Sequence, residues 1–142
     1  MAGDRAIRCR RPQASRDSPP PTWAPTGPVF EIFQVMRPYM PPLPSPAPPS
    51  PFEWGKRERI QEFLGENFDL KFEPGVSTLR MPSSERVWQV FNQGYGPTKS
   101  LHQAIDRKDD LKRDFMALHD RYSTELGVAM PREYLVTIGK RR

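Results

Sequence analysis

Cysteine is what this sequence has least of. Its 142 residues include one, Cys9, and a lone thiol builds neither a disulfide framework nor a thiolate metal site. Long apolar runs are missing too. No stretch approaches the ~20 residues of a membrane-spanning helix, and the charged, proline-rich start has no apolar segment of the kind that opens a secretory signal. A cytoplasmic chain with no membrane partner is the expectation. The two histidines, His102 and His119, stand 17 residues apart without cysteine or carboxylate at ligand spacing. They read as surface or partly packed side chains, and no metal is expected. No serine sits in a GxSxG elbow. No catalytic residue can be named.

Glycine-rich turns are equally absent. Of the nine glycines only Gly94 and Gly96 are close together, and they follow a helical pattern rather than a strand. Nucleotide cofactors are cradled by glycine-rich turns between a strand and a helix, so this chain's own residues offer no cofactor site. The positive charge is small and misplaced for nucleic acid. Of the net +5, residues 1–17 hold +3, with Arg5, Arg8, Arg10, Arg11 and Arg16 against Asp4 and Asp17. Nucleic-acid binding calls for a basic stripe in aromatic or motif context. With none in view, no nucleic-acid partner is expected.

Proline, by contrast, is abundant. Fourteen of the 18 prolines lie between Pro12 and Pro51, and seven fall within the eleven residues Pro41 to Pro51. Each fixes φ and removes a donor, so regular structure is expected mainly in the last ~90 residues, a unit small enough to bury only roughly 60% of its unfolded surface. Residues 1–22 read as a disordered basic and proline-rich arm.

Beyond the arm, Val29, Phe30, Phe33, Met36 and Met40 mark one face of a helix that ends near Arg37, because Pro38 disfavours helical geometry before it. "SPFEW" has the form of a helix start, with Ser50 as cap, Pro51 in first position and Glu53 as capping-box partner. Ile60, Phe63 and Leu64 follow, closed by Gly65. Phe68, Leu70 and Phe72 alternate as a strand, Pro74-Gly75 reads as a turn, and Val76 to Met81 as a second strand. A helix capped near Ser83 carries Val87, Trp88 and Phe91 and stops at Gly94. A short helical turn follows. The next helix places Leu111, Phe115, Leu118, Tyr122 and Leu126 on one face and ends at Gly127, with Asp106 and Asp109 as N-terminal capping and dipole residues. "REYLVTIGKRR" is a last strand, with Tyr134, Val136 and Ile138 on one face and Leu135 and Thr137 on the other, as suits a sheet interior. The class is α/β with an incomplete sheet. In "QGYGPTK", Tyr95 is either a substrate-facing aromatic wall or a packing anchor at a helix corner.

Four segments together carry a resemblance: "WAPTGPVFEIF" (23–33), "SPFEWGKRERIQEFLG" (50–65), "STLRMPSSERVWQVFNQGYGPTK" (77–99) and "MPREYLVTIGKRR" (130–142). They resemble the C-terminal, substrate-side portion of bacterial class I S-adenosylmethionine-dependent methyltransferases of the ubiquinone/menaquinone-type group. The resemblance covers about residues 22–142. It implies the closing strands and helices of a Rossmann-type sheet, with the Pro41–Pro51 stretch as an internal loop between two helices. In such enzymes the cofactor-binding elements lie upstream, where this chain has only "MAGDRAIRCRRPQASRDSPPPT". A truncated methyltransferase, begun by a wrong start or a shifted frame, is the reading that follows. S-adenosylmethionine would be bound in full-length relatives and not by this chain, which alone would be inactive. A separate N-terminal half could complement it, and a small-molecule methyl acceptor would lie near Trp88, Phe91 and Tyr95 unless Trp88 and Phe91 are simply core. The alternatives are a non-catalytic α+β protein binding a small ligand or partner, and an interaction protein using the Pro41–Pro51 loop as a polyproline ligand, for which "PPLP" (41–44) has the form.

Overall fold

A single long antiparallel ladder organises the chain in its computed structural model, which describes residues 22–142. Strand β2 (Phe68–Met81) pairs with β4 (Gly127–Arg141) without interruption, from Phe68 opposite Arg141 to Met81 opposite Val128. The short strand β1 (Thr22–Trp23) lies along the other side of β4, and β3 (Ser123–Thr124) forms a small hairpin with its start. The order is β1–β4–β2, with the last strand in the middle and antiparallel to both neighbours. Residues 1–21 of the expected arm lie outside the described residues. Thr22, counted with that arm, belongs to the sheet opposite Leu135.

The turn expected at Pro74-Gly75 does not form, and the two strands expected there are one. Pro74 is opposite Leu135 and Gly75 opposite Tyr134. β2 is an edge strand, where a residue without an N–H is tolerated. Gly75 has no side chain of its own, and the Tyr134 ring covers it so closely that an added Cβ would overlap the ring. The chemistry of Pro-Gly favours a turn locally, but the register on β4 overrides it.

Between β1 and β2 run α1 (Pro28–Met36), a 3-10 turn (Arg37–Tyr39), the proline stretch, a second 3-10 turn (Pro51–Gly55) and α2 (Arg57–Leu64). α1 ends at Met36, next to the expected boundary, but Arg37 keeps right-handed helical geometry and the chain continues as a 3-10 turn through Pro38. The most buried residues of α1, however, are Val29, Ile32 and Met36, while Phe33 is partly buried at the edge of the core and Phe30 lies to the other side. The expected start at Ser50 is real: its hydroxyl accepts from the Phe52 N–H at 3.3 Å. Glu53 does not close a capping box. It pairs with Lys56 at 2.5 Å, a cation one turn away outcompeting a single backbone N–H.

Three helices connect β2 to β3: α3 (Ser84–Gly94), α4 (Gly96–Ala104) and α5 (Lys108–Asp120). Ser83 caps α3 by accepting from the Arg86 N–H at 3.2 Å. The expected short turn is the full helix α4. α5 stops at Asp120 rather than running to Gly127, because Thr124 initiates a tight turn. Its hydroxyl donates to the Gly127 carbonyl at 2.8 Å and accepts from the Leu126 N–H at 3.2 Å. Leu126, expected on the helix face, is 93% exposed at the hairpin tip, and Gly127 takes the positive φ of 104° that the hairpin needs. Asp106 does not cap α5 with its side chain. Instead Asp110 accepts from Arg107 at 2.9 Å and Arg113 at 2.8 Å.

The main core lies where α1, α3 and α5 meet one end of the sheet. Phe115, Leu111, Val87 and Met130 are wholly buried there, joined by Ile32 and Met36 from α1. On β4 the buried face changes along the strand. Val128 and Met130 point to the helices, whereas Leu135 and Thr137 are buried on the opposite face. That second face belongs to α2, whose Arg57 guanidinium lies 5.9 Å from the centre of the Phe72 ring. Side chains alternate across a strand, so each face is covered at one end. Tyr134 and Val136 are consequently half-buried and Ile138 exposed beyond the helices.

Candidate functional site

α1 has apolar residues on both sides, which a helix against a single core does not need. The second side opens onto a cavity of about 850 Å³. Phe30 and Phe33 form one wall, the segment Met40 to Leu43 another, and Pro51 and Phe52 a third. Phe52 is the keystone. It meets Phe30 edge-on at 5.2 Å and Phe33 edge-on at 5.1 Å between ring centroids, a favoured aromatic geometry. The 3-10 turn that carries Phe52 is tied to the sheet, since Thr22 donates from its hydroxyl to the Trp54 carbonyl at 2.6 Å. The cavity lining thus comes mostly from α1, the segment after it and the two ends of the proline stretch.

The polar groups around this cavity are few. Ser50 is committed to the Phe52 N–H and Lys56 to Glu53. Gln34 and the guanidinium of Arg37 remain, and among the described residues Arg37 has no ion pair. A pocket of this size, mostly apolar with a few convergent polar groups, is the usual form of a small-molecule site.

The three residues expected to face a substrate lie elsewhere, together, on the far side of α1. Trp88 is buried, edge-on to Phe115 at 5.4 Å and to His102 at 5.1 Å. Phe91 packs against Phe115 at 5.3 Å and against Tyr95 at 5.4 Å. Tyr95 is the most exposed of the three, at the junction of α3 and α4, and partial burial raises its hydroxyl pKa. None of them lines the cavity. Trp88 and Phe91 serve the core, and Tyr95 anchors the helix corner. The sequence signal for the cavity lining is the spacing of Phe30, Phe33, Gln34 and Arg37, a second helical stripe beside the one that faces the core.

His119 also differs from expectation. It is wholly buried, stacked on Phe115 at 4.5 Å. Its Nδ1 lies 2.8 Å from the Phe115 carbonyl, so it carries the proton there, and Nε2 has no partner among the described residues. Burial lowers its pKa. With no second titratable group aligned on Nε2, the ring is a packing element.

Among the described residues no glycine-rich turn joins a strand to a helix. The turn from β1 to α1 is Ala24-Pro25-Thr26-Gly27, with one glycine, and a Cβ added at Gly27 would lie 3.5 Å from the Glu133 carboxylate, an ordinary contact. The turn from β2 to α3 is Pro82-Ser83. No group of three or more His, Cys, Asp or Glu among the described residues is placed to hold a metal ion, and no helix among them is long and apolar enough to cross a membrane. No protein-family model, curated protein or solved structure matches the chain.

Proposed function

We propose that residues 22–142 are the C-terminal, acceptor-side part of a class I S-adenosylmethionine-dependent methyltransferase of the cytoplasm, and that the cofactor belongs to a separate N-terminal half. The observation that supports it is the strand order β1–β4–β2 with β4 antiparallel to both neighbours. In the enzymes that the sequence resembles a last strand completes the sheet, and here the last strand, β4, fills the place between β1 and β2. β1 ends at a tryptophan and a Pro-containing turn, also as in the resemblance. Its second edge, away from β4, has no partner among the described residues, and the half-covered row of Tyr134, Val136 and Ile138 lies beside it. A further set of strands with their helices would continue the sheet at that edge and cover that row.

On this reading the chain supplies position and water exclusion for an acceptor, which is most of what methyl transfer to a small nucleophile asks of a protein. The chain alone is inactive. Calorimetric titration tests this part: the purified chain should give no saturable heat with S-adenosylmethionine, and a saturable micromolar isotherm would contradict it.

A second reading has one observation in its favour: residues 40–51 are all exposed, so the proline loop is accessible to an aromatic groove of another protein. Pro41, Pro42 and Leu43 also line the cavity, which engages their inner side. Replacing Pro41, Pro42 and Pro44 by alanine and measuring capture by a panel of WW domains separates the two. Unchanged capture removes the ligand reading.

A further inference from the structure

Phe30, Phe33, Gln34 and Arg37 stand at i, i+3, i+4 and i+7, one stripe along α1 and into the turn that follows. The stripe is graded. Its N-terminal half is aromatic and its C-terminal half carries an amide and a guanidinium, all four on the cavity. From Phe30 to Arg37 the rise is about 10 Å. The last carbonyls of α1 are taken up by the chain itself, the Arg37 N–H donating to Phe33 and the Met40 N–H donating to Arg37. A ligand reaching that end therefore meets the cation of Arg37, whose side chain has no ion pair among the described residues. The other cation of the lining, Lys56, is neutralised by Glu53.

We propose that this cavity binds a small amphipathic carboxylate: an apolar body, aromatic or branched, against Phe30, Phe33, Phe52 and Leu43, with its carboxylate on Arg37 and Gln34. Guanidinium accepts a carboxylate through two parallel N–H bonds, and Gln34 adds one amide donor from the preceding turn. A ligand of opposite polarity fails, because Glu53, the only carboxylate in the lining among the described residues, is already paired. As the place of a methyl acceptor the site rests on the methyltransferase reading; as a carboxylate site it does not.

The test uses 2-naphthylacetate and its neutral match 2-naphthylacetamide, titrated calorimetrically into the full chain. The acid should bind at one site per chain and about ten-fold or more tighter than the amide. R37Q, an exposed position, should bring the acid down to the amide's affinity and leave the amide unchanged. L43D, on the exposed loop, should weaken the acid as well, by placing a like charge over the cavity. Equal binding of acid and amide, an unaltered isotherm in R37Q, or no saturable binding by a chain that unfolds cooperatively would each overturn the proposal. None of those results bears on the family, which is tested on the gene.

Discussion

Trp23 and Tyr134 face one another across β1 and β4, ring centroids 6.5 Å apart and nearly perpendicular at 80°. On its other side the Tyr134 ring covers Gly75 of β2. One aromatic side chain thus spans the width of the sheet and holds β1 to it.

Gly75→Val should destabilise the chain by about 1–3 kcal/mol, since any Cβ there collides with the Tyr134 ring. Tyr134→Ala alone should cost about 1–2 kcal/mol through lost cross-strand contact. The double variant should cost less than the sum, because the collision is gone. Urea denaturation of the four proteins checks this, and strict additivity would refute the contact.

Phe115 is wholly buried between Trp88, Phe91 and His119. Phe115→Ala should cost about 3–5 kcal/mol, a large part of the stability of a unit this size. Phe63 is 50% exposed, stacked only on Trp54 with Arg59 above. Phe63→Ala should cost less than about 1 kcal/mol. Thermal unfolding of both variants distinguishes an anchored core from a loose one.

Burial holds His119 neutral and depresses its pKa in the folded chain. The unfolded chain then binds the proton more readily below about pH 6.5. Stability should be fully present above that pH and fall as the pH drops from about 6.5 towards the lowered folded value, levelling off beneath it. His119→Leu should remove that segment of the pH profile. A variant whose midpoint tracks the wild type through pH 5–7 would show that another group is responsible.

Tyr39 donates to the Asp114 carboxylate at 2.5 Å, joining the turn after α1 to α5, and Arg107 lies 5.0 Å from the centre of the Tyr39 ring. The hydrogen bond from Tyr39 is the main cause of the lowered Asp114 pKa, against desolvation and with help from Arg113. Tyr39→Phe should cost about 1 kcal/mol at neutral pH. The difference should shrink as the pH falls from about 4, the unfolded value, through the lowered folded one, beneath which the carboxylate is protonated in both states. Parallel denaturation at pH 7 and pH 3 reads this out.

Most helices of this fold are legible in the sequence because their ends are marked chemically. Ser83 and Gly94 act where their residue types predict. What is not legible is what the sheet decides. Pro74-Gly75 reads as a turn because local preference favours one, and only the unbroken register on β4, with Tyr134 over Gly75, makes it strand. Leu126 fits a helical period yet ends at a hairpin tip, since the Thr124 turn and the glycine at 127 begin a strand there. The cavity was hidden for a similar reason. Phe30 and Phe33 fall on one helical stripe with Val29, Met36 and Met40, and only the packing of Phe52 against both rings shows that they line a cavity as well. Trp88 and Phe91 drew attention as aromatics near a glycine loop, but aromatics at helical spacing most often pack inward, as these do.

The central claim, that residues 22–142 are the acceptor-side end of a methyltransferase, is tested most directly on nucleic acid. The gene and about 600 bases upstream, enough for roughly 200 residues, should be sequenced and translated in all three forward frames. The account predicts an apolar strand followed by a glycine-rich turn into a helix, in a frame that runs on into Trp23. Upstream sequence with no such strand and turn in any frame would contradict it.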